Sequence, residues 1–147
     1  MVHQAASPTL QLRLTAAQVR AFLEEAFPPP ARPNLGEIEA LRLNHLRIRL
    51  DPDASMKRPG NIVSGPTLMT LVDLAAYAII AAHHGPEAMA VTNALSISFL
   101  RACRFEPIHA DAVILKLGRR LATVDVRIWQ GDEDRVIAQS TVGYALP

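Results

Sequence analysis

Residues 66–82 read Pro-Thr-Leu-Met-Thr-Leu-Val-Asp-Leu-Ala-Ala-Tyr-Ala-Ile-Ile-Ala-Ala, and Asp73 is the only charged residue in this run. Burying an ionised carboxylate without a partner costs several kcal/mol. We therefore expect Asp73 to be paired, protonated or turned toward a wet cleft. A carboxylate held in a largely apolar setting serves naturally as a general base or nucleophile, which makes Asp73 the first candidate for a catalytic residue.

Two other interpretations of the run are a structural Asp, held by an Arg or by backbone amides, and a membrane span. An Asp at the middle of a lone span is costly, so we expect no membrane partner. The flanking residues are also typical of a soluble helix. Ser64 or Gly65 suits the cap, Pro66 suits the first helical position, and residues 83–86, His-His-Gly-Pro, supply a stop. The pattern predicts a helix over residues 66–83.

The composition indicates one domain over residues 1–147, with half of its residues hydrophobic. The 15 basic and 14 acidic residues nearly cancel, which gives no global field to suggest nucleic acid as the main partner. The single Cys103 excludes an internal disulfide and fits a reducing compartment, most simply the cytoplasm. Residues 1–8 lack the basic region and apolar core of a secretory signal.

No metal or cofactor is expected from the motifs. The five histidines are scattered, without the spacing of a zinc or iron site. No glycine-rich loop of the kind that binds phosphate is present. Gly118-Arg119-Arg120 is too short for a nucleotide fingerprint and predicts a turn between strands, with some chance of contacting a phosphate.

The remaining elements follow from their periodicity. Thr15 and Gln18 form a capping box that predicts a helix over 15–27, ended by the prolines that follow. Alternating apolar residues predict a strand over 37–50, and the loop that follows runs from Asp51 to Asn61. Four more strands are predicted after Pro86, over residues 89–101, 108–117, 121–130 and 135–146. Their short connections require antiparallel pairing.

The order of the elements predicts an α+β fold. A helix that is apolar all round needs a sheet curved about it, which is the hotdog arrangement, here with an extra N-terminal helix. Apolar surface left open by such a sheet is usually closed by a second copy. We therefore expect a homodimer or a higher oligomer.

With the elements placed, the segment from Arg58 to Pro147 resembles the hotdog thioesterases of the phenylacetyl-CoA (PaaI) type. Ser64-Gly65-Pro66 leads to Leu71-Val72-Asp73 at the family's separation, and residues 92–101, Thr-Asn-Ala-Leu-Ser-Ile-Ser-Phe-Leu-Arg, match its strand. Residues 117–122 are similar to its Gly-Arg/Lys turn, and residues 136–141 to its closing strand. The resemblance implies acyl thioesters of coenzyme A as substrates and dimers that often pair into tetramers.

The chain departs from the family pattern at the start of the long helix. Ser64 stands where the family has His, and its hydroxyl has no evident base nearby in sequence. Pro66 replaces the second Gly and has no N–H, so Gly65 is left as the amide donor. The family's Asn falls at Arg58 or, in another loop register, at Asn61.

The resemblance implies a mechanism in which the Gly65 amide polarises the thioester carbonyl while Asp73 attacks it or activates a water. Gly65 and Asp73 lie ~12 Å apart along one helix, so they cannot act on the same atom within one subunit. We therefore expect the site to combine Gly65 of one copy with Asp73 of the other, as the family does.

The other candidates each have an ordinary structural alternative. Thr92 matches a family Ser or Thr that steadies the carboxylate or holds the water, and is otherwise a strand Thr. Tyr77, one turn after Asp73, is a candidate for the acyl pocket or the core. Arg58 is a candidate partner for Asp73 or for the substrate. The candidates for the phosphates of coenzyme A are Arg101, Arg104, Arg119 and Arg120, beside Gly118.

The resulting hypothesis is an acyl-CoA thioesterase acting on a small or medium acyl group, with coenzyme A entering only as part of the substrate. A non-catalytic acyl-CoA binding protein is the alternative, favoured somewhat by the changes at Ser64 and Pro66. An enoyl-CoA hydratase fits less well, because His83 and His84 follow Asp73 by ten and eleven residues, toward the wrong end of the helix.

Overall fold

The computed structural model describes residues 9–147. The N-terminal residues 1–8, in which no secretory signal is expected, lie outside the described part. In chain order the elements are helix α1 (Ala16–Ala26), β1 (Glu37–Arg42), β2 (His45–Leu50), β3 (Lys57–Arg58), β4 (Ile62–Val63), helix α2 (Gly65–His84), β5 (Val91–Phe99), β6 (Ile108–Leu117), β7 (Leu121–Trp129) and β8 (Val136–Ala145). Two 3₁₀ turns span Pro29–Asn34 and Ala54–Met56.

Six strands form one antiparallel sheet in the order β1-β2-β6-β7-β8-β5. The sheet curves around α2, which packs against β2, β6, β7, β8 and β5. The inward residues of the central strands are apolar and fully buried, as at Val124, Val126 and Ile128 on β7. This is the hotdog fold, and the predicted α+β class is confirmed.

Helix α2 begins and ends where its sequence caps it. The Ser64 side chain accepts a hydrogen bond from the Thr67 amide, Pro66 occupies the first turn, and Gly85 ends the helix at a positive φ of 113°, which glycine adopts without strain. By length and composition the helix could cross a membrane, but most of it is buried inside the protein. Its apolar surface is therefore accounted for by the core.

Helix α1 extends the core on the open side of the sheet. Its capping box is formed by Thr15 and Gln18 as predicted. Val19, Phe22 and Leu23 are buried, and the helix packs against α2 and β1. The rings of Phe22 and of Tyr77 on α2 meet edge to face at a centroid distance of 5.4 Å. The N-terminal helix is thus part of the core that surrounds α2.

The prediction of a single strand over residues 37–50 is wrong. The chain turns at Leu43 and Asn44 and pairs with itself as the hairpin β1–β2. Asn44 takes the left-handed conformation at φ 52°, which Asn tolerates better than most residues. Its side chain then bonds both backbone groups of Ile114 on β6, donating to the carbonyl at 3.1 Å and accepting from the amide at 2.7 Å.

The loop predicted over residues 51–61 also contains regular structure. A 3₁₀ turn is followed by the short hairpin of β3 and β4, which closes through Gly60 and Asn61, both at positive φ. The predicted strand over 89–101 is shorter than expected, since only Val91–Phe99 is paired. The bounds of the other strands and of both helices lie within one residue of those predicted.

The contacts of Asn44 give a test of the hairpin turn. Asn44→Gly will lower the free energy of unfolding by about 2 kcal/mol, because it removes the bonds to Ile114 but keeps the conformational freedom. Asn44→Ala will lower it by about 1 kcal/mol more, because alanine is also strained at positive φ. Urea unfolding at one fixed protein concentration measures both. Equal losses, or a larger loss for the glycine variant, would contradict this role of the turn.

Candidate active site

Asp73 lies at the middle of α2 and faces a cavity of about 120 Å³. The carboxylate-bearing residue is partly exposed, whereas its neighbours Val72 and Leu74 are buried. Among residues 9–147, Asp73 takes part in no ion pair. Within one chain Arg58 does not pair with Asp73, because the exposed side chain of Arg58 lies on the β3–β4 hairpin.

Two neutral hydroxyl groups hold the carboxylate instead. Thr92 Oγ1 donates to Asp73 Oδ1 at 2.7 Å, and the Tyr144 hydroxyl donates to the same oxygen at 2.7 Å. The Tyr144 hydroxyl also lies 3.2 Å from the main-chain carbonyl oxygen of Asp73. Within the described part of one chain, Asp73 is thus oriented by hydrogen bonds and not by an ion pair.

The sheet register brings Thr92 and Tyr144 together. They lie directly opposite each other on β5 and β8, so both side chains point from the sheet to α2. The pairing shifts register at Asn93, next to Thr92. A glycine stands opposite this irregularity, since a Cβ on Gly143 would lie 2.6 Å from Asn93 Oδ1. The irregular strand and the glycine together direct the two donors at Asp73.

Tyr144 is the site residue that the sequence interpretation missed. Burial raises the pKa of the Tyr144 phenol, and the hydrogen bond to Asp73 raises it further, so the hydroxyl keeps its proton and acts as a donor. The available signal was its place among the inward positions of β8, where an aromatic residue with a polar tip needs a buried partner.

Tyr77 forms a wall of the cavity, one turn along α2 from Asp73. Its ring stacks on Tyr144 at 5.9 Å with an interplanar angle of 19°, and its hydroxyl donates to the Ala88 carbonyl at 3.0 Å. Burial raises the pKa of the Tyr77 phenol. The structure therefore places the side chain of Tyr77 at the cavity.

Another part of the cavity wall comes from the N-terminal part of the chain. Phe27 follows α1, and Ala31, Asn34 and Leu35 come from the 3₁₀ turn and its end. The sequence interpretation assigned no role to these residues. The proline-rich stretch after α1 bends the chain back across the cavity, so one chain supplies both Asp73 and a mostly apolar enclosure in front of it.

Gly65 and Ser64 lie at the start of α2, whereas Asp73 lies at its middle. Gly65 is the first residue of α2, and among residues 9–147 its N–H donates no hydrogen bond. The Ser64 hydroxyl is 2.8 Å from Thr67 Oγ1 and caps the helix. Within one chain Gly65 and Asp73 remain ~12 Å apart along the axis. The structure therefore does not bring the two predicted groups together in a single subunit.

The predicted phosphate-binding residues fall into two separate groups. Arg101 shares a cavity of about 80 Å³ with Arg104 and Arg135, near the strand segment that pairs with the β3–β4 hairpin of Arg58 and Asn61. The second group, Gly118 and Arg119, shares a cavity of about 370 Å³ with His83 and His84, and the exposed Arg120 follows it.

The two groups are at opposite ends of the long helix. Phe99, which precedes Arg101 on the chain, packs near Gly65 at the start of α2, whereas the second group meets the last residues of α2. Twenty residues of helix span ~30 Å. One nucleotide cannot use both groups within one chain.

Among residues 9–147, no cluster of three or more His, Cys, Asp or Glu side chains could hold a metal ion.

The family model of the thioesterase superfamily matches residues 60–137, which is more than half of the chain. The chain belongs to the thioesterase superfamily. The matched segment includes Gly65, Asp73 and Thr92, while Tyr144 and the N-terminal wall of the cavity lie outside it. No curated protein matches the chain.

Solved structures of thioesterase superfamily proteins resemble this one over most of their length. A proposed thioesterase from a Silicibacter species is 33% identical, with 98% of this chain and 99% of that chain covered at a TM-score of 0.85. A proposed thioesterase from Ralstonia eutropha, described as related to phenylacetic acid degradation, is 23% identical, with 86% and 97% covered at a TM-score of 0.72. A hypothetical thioesterase from Streptococcus pneumoniae, solved with coenzyme A, is 22% identical, with 75% and 86% covered at a TM-score of 0.65.

The position of Ser64 gives a prediction on stability. Ser64→Ala will lower the free energy of unfolding by about 1 kcal/mol, because the amide of Thr67 loses its cap. Ser64→Asn is the matched control, since Asn caps helices as well as Ser and should preserve the wild-type value. Chemical denaturation of the three proteins measures the effect. A stability loss that is the same for both variants would show that the hydroxyl does not act as a cap.

Proposed function

We propose that the protein is an acyl-CoA thioesterase for small or medium acyl groups, with Asp73 as the general base or nucleophile. The proposal rests mainly on the position and the contacts of the Asp73 carboxylate. The carboxylate lies in mid-helix, without an ionic partner among residues 9–147, is held on one oxygen by Thr92 and Tyr144, and faces a mostly apolar cavity. Membership of the thioesterase superfamily supports the same reaction.

The reaction is hydrolysis of the bond between the acyl carbon and the sulfur. As a base, Asp73 takes a proton from water while the water oxygen attacks the acyl carbon, and the proton then leaves with the thiolate as the free thiol. As a nucleophile, Asp73 itself attacks, the thiolate departs, and water hydrolyses the resulting mixed anhydride. Both routes need a donor for the negative charge that develops on the carbonyl oxygen.

We place that donor in a second copy of the chain. Among residues 9–147, strand β5 is paired only on its β8 side, and it carries the exposed apolar side chains of Val91 and Phe99. It runs alongside α2, with Thr92 beside Asp73 and Phe99 beside Gly65. Antiparallel pairing of two β5 strands about a two-fold axis would set the Phe99 end of one copy against the Thr92 end of the other. The unbonded amide of Gly65 then approaches the Asp73 of the second copy.

The cavity in front of Asp73 is the proposed acyl pocket. Its walls are mainly apolar, with Phe27 and Leu35 from the N-terminal segment and Leu74 and Tyr77 from α2. Its volume of about 120 Å³ favours a small or medium acyl group over a long chain. The coenzyme A portion would extend toward the arginines near the start of the second copy's α2, where Arg101 and Arg58 lie with Asn61.

A non-catalytic acyl-CoA binding protein is the second candidate. The observation that favours it is the start of α2, where Pro66 has no N–H and Ser64 is engaged with Thr67, which leaves Gly65 as a single amide donor. The hydratase alternative is weakened further. The ring of His83 is buried and bonded to Ile79 and Asn44, so it does not serve Asp73.

The decisive assay is thiol release from a panel of acyl-CoAs, because turnover separates an enzyme from a binder. Asp73→Asn will lower kcat/KM at least ~100-fold while leaving a folded oligomer, since the amide can neither take a proton nor attack. Asp125→Asn is the matched control, because Asp125 lies on β7, bonded to Gln139, and does not contact the site. Unchanged activity in Asp73→Asn would refute the assignment, and tight acyl-CoA binding without turnover in the wild type would establish the binder.

Hybrid dimers test the shared site. Gly65→Pro removes the amide hydrogen, and the extended conformation of Ser64, with ψ 151°, accommodates a following proline. Gly65→Ala is its control, since the added Cβ meets only Phe99 at 3.5 Å and the amide remains. Random mixing of inactive Asp73→Asn and Gly65→Pro subunits should restore about one quarter of wild-type activity, because half of the dimers then contain one intact site. No recovery in verified hybrids would place the whole site within one subunit.

A further inference from the structure

The two hydrogen bonds that hold Asp73 are unequally distributed over its carboxylate. Both Thr92 Oγ1 and the Tyr144 hydroxyl donate to Oδ1, whereas Oδ2 accepts no hydrogen bond from residues 9–147. Each carboxylate oxygen offers two lone-pair sites, so the donors saturate Oδ1 and leave Oδ2 open. We propose that Tyr144 is a positioning residue that, with Thr92, fixes Oδ1 and presents Oδ2 of Asp73 as the oxygen that reacts. The inference rests on the proposed thioesterase function.

The Tyr144 ring is held rigidly enough to position another group. Its side chain is 3% exposed and is stacked on Tyr77. The strand pairing sets it opposite Thr92, and its hydroxyl reaches both the side chain and the main-chain oxygen of Asp73. A donor that contacts both parts of one residue restricts the rotation of the carboxylate relative to the helix.

The chemical type of the donors also matters. A Lys or Arg in the place of Tyr144 would form a charge-assisted hydrogen bond and stabilise the carboxylate more strongly, which would make it a weaker base and nucleophile. Neutral hydroxyls fix the geometry with a smaller penalty. Because Tyr144 keeps its proton, the hydroxyl does not act as a base itself, and its effect on the reaction passes through Asp73.

The test is Tyr144→Phe, which keeps the ring and its stacking on Tyr77 but removes the hydroxyl. We expect kcat to fall about tenfold with KM within about twofold of wild type, because substrate contacts remain while the reacting oxygen is less well oriented. Ser140→Ala is the matched control. It removes another buried hydroxyl of β8, one that donates to the Ser96 carbonyl at 2.8 Å and does not touch Asp73, so kcat should not change.

A double variant distinguishes the positioning of the Asp73 carboxylate from a general loss of packing around the site. Each single change, Tyr144→Phe or Thr92→Val, leaves one donor on Oδ1, and the double variant leaves none. We expect the double variant to have a lower kcat than either single variant. We also expect crystal structures of the variants to show the Asp73 carboxylate rotated from its wild-type position. A kcat for Tyr144→Phe equal to that of Ser140→Ala, or a KM that rises while kcat is unchanged, would overturn the proposal.

The crystallographic measurement keeps this test distinct from that of the proposed function. A wild-type protein that releases no thiol from any acyl-CoA refutes the thioesterase proposal. In that event the crystal structures of the wild type and of Tyr144→Phe still show whether Tyr144 positions the Asp73 carboxylate. An unmoved carboxylate overturns it, whereas a rotated one shows that Tyr144 orients Asp73 for a different use.

Discussion

The site depends on one constraint, which is that an acidic residue stands in the middle of an otherwise apolar helix. The fold resolves it without a counter-ion among residues 9–147, since Thr92 and Tyr144 bond one oxygen of Asp73 and the residue itself lines a cavity. An ion pair would have secured the carboxylate at the cost of its reactivity. The arrangement thus retains a carboxyl group that is ordered and still available to a substrate.

The helix and its acid could be predicted from sequence because the information is local. The cap at Ser64, the glycine at the end and the lone charge at Asp73 all lie within or beside one run. The contact with Tyr144 is not local, because it depends on which residue of β8 stands opposite Thr92. That register depends on an irregularity near Asn93, which the alternation of apolar and polar residues does not predict. The hairpin turn at Asn44 was missed for a related reason, since its bonds to Ile114 cross seventy residues.

The N-terminal segment changes how the site is understood. The resemblance that begins at Arg58 says nothing about Phe27 or Leu35, although both line the cavity in front of Asp73. The acid thus comes from the part that matches the family, while one wall of its cavity comes from outside that part. The sequence could predict α1 but not this contact, because the bend through the proline-rich turn determines where the chain passes. Acyl selectivity would then be set by residues on both sides of Asp73.

The most direct test of the account is a crystal structure of the protein with a non-hydrolysable thioether analogue of an acyl-CoA. We expect the acyl group in the cavity beside Phe27 and Tyr77, with the carbon that stands for the reacting centre within about 3.5 Å of Asp73 Oδ2. We also expect the Gly65 amide of a second copy at the oxygen attached to that carbon, or at the position that this oxygen would occupy. An acyl group bound elsewhere, or an Asp73 carboxylate turned away from the ligand and paired with a cation, would contradict the account.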